Sequence, residues 1–165
     1  MAYAESGDNT IFTYNVEKIF HRVRVRAVTR AKMLRDEKGK QIYDDMALTD
    51  MEENDFNVLY PQAAAAIFIL IQSLCQGVDD AFLWDTTEVT FTAELPDYWD
   101  PNITPVLDSQ LMSLFEYWIL REWFQMVGMP TLSEEFNKLY SDGVAAARKS
   151  VLNRTYRAPR KYRGL

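Results

Sequence analysis

The chain has 165 residues, 48% of them hydrophobic and 13% aromatic, and a formal net charge of −6. It is too apolar to be disordered throughout, and its length suits one domain that buries roughly 70% of its unfolded surface. A single cysteine, Cys75, excludes an internal disulfide and fits a reducing compartment or no redox role.

Residues 1–12 read as a flexible lead-in, and "MAYAESGDNTIF" has neither the basic nor the apolar region of a signal peptide. From Thr13 the apolar positions Val16, Ile19/Phe20, Val23, Ala27, Ala31 and Leu34 recur at three and four residues, which predicts an amphipathic helix. Arg22, Arg26 and Arg30 fall four apart and are expected on the opposite face. "RVRVRAV" also alternates with period two, so a strand competes there; the longer 3.6 period favours the helix. "DEKGK" (Asp36 to Lys40) breaks it.

Thr49 and Glu52 form a capping box for a second helix. That helix carries Phe56 and Leu59, meets Pro61, and resumes through Ala63, Ile67, Leu70, Ile71 and Leu74 to Gly77. Pro61 is expected to kink or split it. Its apolar run, "AAAAIFILI", has nine residues, against about 20 for a membrane span. A buried helix at the centre of the core is the expectation. "TEVTFTAEL" then alternates as a half-buried strand, with "AFLW" as its hairpin partner, in a small insert at about residues 78–104. "PDYWDPNITP" is a proline-punctuated loop that presents Tyr98 and Trp99.

For the third helix, Thr104 is the expected N-cap, Pro105 the first position, and Gly128 and Pro130 the stop. Leu107, Leu111, Leu114, Phe115, Trp118, Ile119 and Glu122 trace one face, and Tyr117, Leu120, Phe124 and Val127 another. Such a helix needs cover on nearly all sides, so Trp118, Arg121, Trp123 and Phe124, with Tyr98 and Trp99, are candidate core or interface residues. Ser133 is the expected N-cap of a fourth helix reaching about Asn153. The fold class is therefore mainly α: about four bundled helices over residues 13–153, a small β-hairpin insert, and an extended arm at 154–165.

Charge is unevenly spread. Residues 1–40 hold nine Lys or Arg and five acids, residues 41–147 only Arg121 and Lys138 against nineteen acids, and residues 148–165 seven basic residues and no acid. A basic–acidic–basic chain can associate with copies of itself, although a solvated surface with a disordered tail has the same composition. In the arm, Arg154, Tyr156, Arg157, Arg160, Lys161, Tyr162 and Arg163 are the candidate partner-binding residues. Arg and Tyr anchor protein interfaces, and they also contact phosphates and stack on bases. The acidic middle favours a protein partner. Thirteen residues from Asn153 extend at most about 45 Å, enough to reach another subunit.

Catalytic patterns are lacking. His21 has no Cys or His companion at metal spacing, no glycine-rich phosphate loop or nucleophile elbow occurs, and no cofactor or metal is expected. Of the acid pairs Asp44/Asp45, Glu52/Glu53, Asp79/Asp80 and Glu134/Glu135, three lie at expected helix ends, and the helix dipole accounts for two of them. No enzyme is expected.

The order of features is an acidic capped helix into an Ala-rich helix, a strand-bearing insert, "L-x-x-Y-W-I-L-R-E-W", then "F-N-K-L-Y…A-A-A-R-K-S-V-L-N-R" into a Pro/Arg tail. Over residues 45–163 this order is similar to that of head–tail connector (neck or adaptor) proteins of tailed bacteriophages. The resemblance implies a structural virion protein, assembled in the host cytoplasm as a ring, usually of twelve copies, at the portal–tail junction. Portal, tail or other neck proteins would be its partners, genomic DNA would pass through the lumen, and no membrane would be involved. It implies portal or neighbour docking for the arm residues Arg154 to Arg163, and a packed aromatic helix at Trp118, Arg121 and Trp123. The alternative function is a small nucleic-acid-binding protein using its basic termini.

Overall fold

The structure, a computed structural model, describes residues 9–33, 39, 53–75, 77–78, 83–84, 87–95 and 99–152. The protein is mainly α, with helices α1 (Val16–Met33), α2 (Glu53–Leu74), α3 (Thr104–Met126) and α4 (Pro130–Val151). A small antiparallel sheet joins β1 (Asn9–Asn15), β2 (Gly77–Val78), β3 (Leu83–Trp84) and β4 (Glu88–Glu94).

β4 is the centre of the sheet. It makes the expected hairpin with β3, Leu83 opposite Thr90 and Trp84 opposite Val89, and meets β2 further along the same edge. Its other edge pairs along the whole strand with β1, in the register Phe12 opposite Phe91 and Tyr14 opposite Val89. Residues 9–12, expected in the lead-in, are thus the first half of a strand, and Thr13–Asn15 complete it rather than opening α1. The period of two explains this. Phe12, Tyr14 and Val16 are buried while Ile11, Thr13 and Asn15 are exposed, matching Val89, Phe91 and Ala93 on β4. Asn15 then caps α1, its side-chain Oδ1 accepting from the Lys18 N–H at 2.9 Å.

α3, not α2, is the central helix. It buries ten residues, from Leu107 to Phe124, whereas α2 leaves Val58, Ala65 and Ile69 exposed. Phe115 of α3 meets Tyr14 and Phe91 of the sheet at ring-centroid distances of 5.3 and 6.1 Å, and Phe68 of α2 stacks on Phe91 at 6.4 Å. α2 runs through Pro61 as one helix. Buried Leu59 and Tyr60 before the proline and Ala63 and Ala64 after it hold both halves against the core, which offsets the missing hydrogen bond. Its expected capping box at Thr49 lies outside the described residues. Among the described residues α2 alone is long and apolar enough to cross a bilayer, with a mean hydropathy of 1.4 over its most apolar window. Eight of its side chains are nevertheless buried against the rest of the protein.

The α3–α4 hairpin is built by three residues. Gly128, at φ +76°, takes the left-handed conformation open to glycine. The Met129 N–H donates to the Phe124 carbonyl at 2.8 Å and the Gly128 N–H to that of Gln125 at 3.3 Å, the Schellman pattern. Pro130 does not merely follow α3; it opens α4, with Met129 at the N-cap. Ser133, expected to cap, is instead a buried helical residue whose N–H donates to the Met129 carbonyl at 3.1 Å. At the other end of α3, Asp100 caps a 3₁₀ turn at Pro101–Ile103 that leads directly into the helix. Thr104 therefore does not cap: its hydroxyl donates to the Pro101 carbonyl at 2.8 Å.

Candidate docking surfaces

The arginines of α1 lie beside the core stripe rather than opposite it. Arg22 and Arg26 directly precede the buried Val23 and Ala27, about 100° round the helix, and Arg30 continues the row, which reaches toward α3 and α4. Arg22 Nε donates to Glu116 Oε1, and Arg26 Nη2 lies 3.1 Å from Glu116 Oε2. Arg30 pairs with Glu135 of α4. Glu116 is 1% exposed, so its two oxygens are taken out of water and compensated by two guanidiniums. The Arg26 guanidinium also sits over the Tyr117 ring, 5.1 Å from its centroid. His21, Val25 and Thr29 complete an open hollow of about 430 Å³ above this cluster. Its carboxylate is fully engaged by cations, so the cluster clamps α1 onto α3 and offers no free base.

Arg121 occupies a second seam. Its guanidinium lies 5.2 Å from the Trp118 ring and 5.6 Å from that of Tyr140, and it pairs with Glu122 at 2.5 Å. Burial raises the Tyr140 hydroxyl above its ordinary pKa, an effect that the Arg121 charge opposes. Trp118 is half-buried, whereas Trp123 and Phe124 are core residues, Phe124 stacking on Phe136 of α4 at 5.5 Å. Half-buried Trp99 donates its indole N–H to the Ser150 carbonyl at 3.0 Å, tying the loop before α3 to the last turn of α4. Burial, and then the Asp108 charge, raise the Tyr14 phenol and keep it neutral. Burial likewise pushes the Cys75 thiol up to about 11.

A third feature lies where the start of α3 meets the end of α4. Ile103, Val106, Gln110, Ala145, Ala146, Arg148, Lys149, Ser150 and Leu152 line a groove of about 840 Å³. It mixes exposed apolar side chains with two cations, the first two residues of the basic segment.

Of the residues singled out in the sequence, Trp118, Arg121, Trp123, Phe124 and Trp99 all belong to the α3–α4 layer, though not to one surface. Tyr98 and the arm residues Arg154, Tyr156, Arg157, Arg160, Lys161, Tyr162 and Arg163 lie outside the described residues, as do Asp44/Asp45, Asp79/Asp80 and Glu52. Glu53 and Glu134 are exposed. Among the described residues no three His, Cys, Asp or Glu side chains gather as a metal site. Glu116 and the groove were not anticipated. For Glu116 the signal was present: one acid inside the apolar run "LFEYW", with arginines four apart elsewhere to receive it. No family model, curated protein or solved structure matches the chain.

Proposed function

We propose that this chain is a structural assembly subunit of the head–tail connector type, packing against copies of itself in a ring and docking to an acidic protein partner through its basic C-terminal segment. The observation that carries the reading is the outward face of α2. Val58, Gln62, Ala65, Ile69 and Gln72 succeed one another at spacings of four and three; all are exposed and none is charged. Val58 and Ile69 are 59% and 64% exposed. A helix facing only water ordinarily turns charged residues outward. An uncharged stripe repeating every 3.5 residues is instead the geometry by which one helix lies against another, and small Ala65 permits close approach. Apolar contact then supplies adhesion, while the basic segment supplies register and salt-sensitive attraction.

The nucleic-acid alternative is weakened in part, because three of the nine basic residues near the N-terminus, Arg22, Arg26 and Arg30, already face carboxylates of the same chain. The test is native mass spectrometry with negative-stain microscopy of the full chain, alone, with candidate virion proteins and with duplex DNA, at two salt concentrations. The expected result is a discrete ring, alone or on a protein template, that is lost on removing residues 154–165 or on changing Ile69→Lys. A monomer that shifts only with DNA would refute the proposal and favour the phosphate-binding alternative.

A further inference from the structure

The groove between α3 and α4 has two properties that together describe an occupant. Val106 and Leu152 are 51% and 62% exposed on its walls, so it offers apolar surface to a partner. Arg148 and Lys149 are exposed beside them, and among the described residues neither has a carboxylate partner. The occupant is therefore negatively charged and carries an apolar side chain.

The first two turns of α2 meet both requirements. Glu53, Asn54, Asn57 and Val58 are exposed there, at spacings that put them on one face. Glu53 supplies the charge and Val58 the apolar group, with uncharged Asn54 and Asn57 beside them. We infer that the α3–α4 groove of one copy receives the start of α2 from a second copy. This rests on the self-assembly reading above and names the surface that the α2 face covers. The two patches differ and sit on different helices, so the contact can run head to tail. Made in one direction only, it propagates from copy to copy and closes into a ring when its rotation permits, as the self-assembly reading requires; made reciprocally across a two-fold axis, it stops at a dimer.

The pairing of two different patches has a diagnostic test. Val58→Asp spoils the donated helix but leaves its own groove intact; Arg148→Glu with Lys149→Glu spoils the groove but leaves its own α2 intact. All three positions are exposed, so both variants should fold, which circular dichroism checks. By sedimentation across a wide concentration range, each variant alone should associate at least about tenfold more weakly than the parent chain. Mixed together they should form one-to-one dimers, because one good groove and one good helix remain. Adding Glu53→Lys to the groove variant should restore part of its self-association by reversing both charges.

If both variants assemble as the parent does, the groove is not the interface and the ring reading stands. If the groove variant and Val58→Asp are each impaired but never complement, the pairing of these two patches is overturned. Complementing variants whose parent builds only open chains, or stops at a dimer, would keep the groove and overturn the ring. A parent chain monomeric under every condition, candidate templates included, would overturn both.

Discussion

The clamp at Glu116 makes a prediction about asymmetry. Its carboxylate is 1% exposed, while the side chains of Arg22 and Arg26 are 40% and 36% exposed. Replacing both arginines with methionine (R22M/R26M) strands a buried carboxylate without a cation, and stability should fall by about 3–5 kcal/mol. Glu116→Gln strands only guanidiniums that already reach water and can rehydrate. The amide still accepts a hydrogen bond, so the loss should be about 1–2 kcal/mol, the difference between a charge-assisted and a neutral bond. The triple variant with Glu116→Leu turns the cluster apolar and should recover most of the double variant's loss. Urea unfolding followed by tryptophan fluorescence reads each value from the midpoint at constant slope. For a chain of this size each kcal/mol also moves Tm by roughly 2–4 °C. If Glu116→Gln destabilised as much as R22M/R26M, or if the triple variant were less stable than the double, the clamp would not be a buried-charge effect.

Close packing of α3 and α4 is testable at Gly143, where an added Cβ would lie 2.8 Å from Leu114 Cδ2 in the core. Gly143→Ala should be nearly neutral in thermal melts, since its gain of about 1 kcal/mol in helix propensity offsets a small shift of Leu114. Gly143→Val should destabilise by about 1–3 kcal/mol through overpacking, and unchanged stability would show that the helices separate freely. For Cys75 the sign follows from burial, which disfavours the thiolate and moves the thiol from 9.0 to about 11. Because the thiolate is the reactive form, an aromatic disulfide reagent at pH 8 should label the folded chain about 100-fold more slowly than the urea-unfolded chain, and faster by about tenfold per pH unit up to 11. Equal rates would mean that the sulfur is open to water.

Much of the fold was legible in the chain because helices are local. The 3.6 period of Val16, Ile19, Val23 and Ala27 and the uncharged run of α2 depend only on neighbours three and four residues away. The same holds for the Gly128 stop and the alternation in "TEVTFTAEL". Pro130 was harder, since a proline after a glycine reads as the end of one helix as easily as the first residue of the next. The Schellman turn at Gly128 decides it by bringing the chain round at once. Of the candidate surfaces, the aromatic residues of α3 were visible as a group, but not their division into core (Trp123, Phe124) and partly open seam (Trp118, Arg121). A helix nearly apolar all round does not reveal which neighbours cover each side.

What the sequence by itself determined about this protein is its local repertoire: four helices, a strand with a short hairpin partner, and a chain whose charge runs basic, acidic, basic. The tertiary structure alone decided the long-range pairings. β4 takes Asn9–Asn15 as its main partner, with Thr13 and Thr90 hydroxyls 3.2 Å apart across 77 residues of chain. Arg22 meets Glu116 across 94 residues and Arg30 meets Glu135 across 105. Periodicity says which face of a helix is apolar. Which face meets which is set by the packing of the whole core, because one close-packed arrangement must bury Phe91, Phe115 and Ile67 together and still bring Arg22 and Arg26 to the buried Glu116.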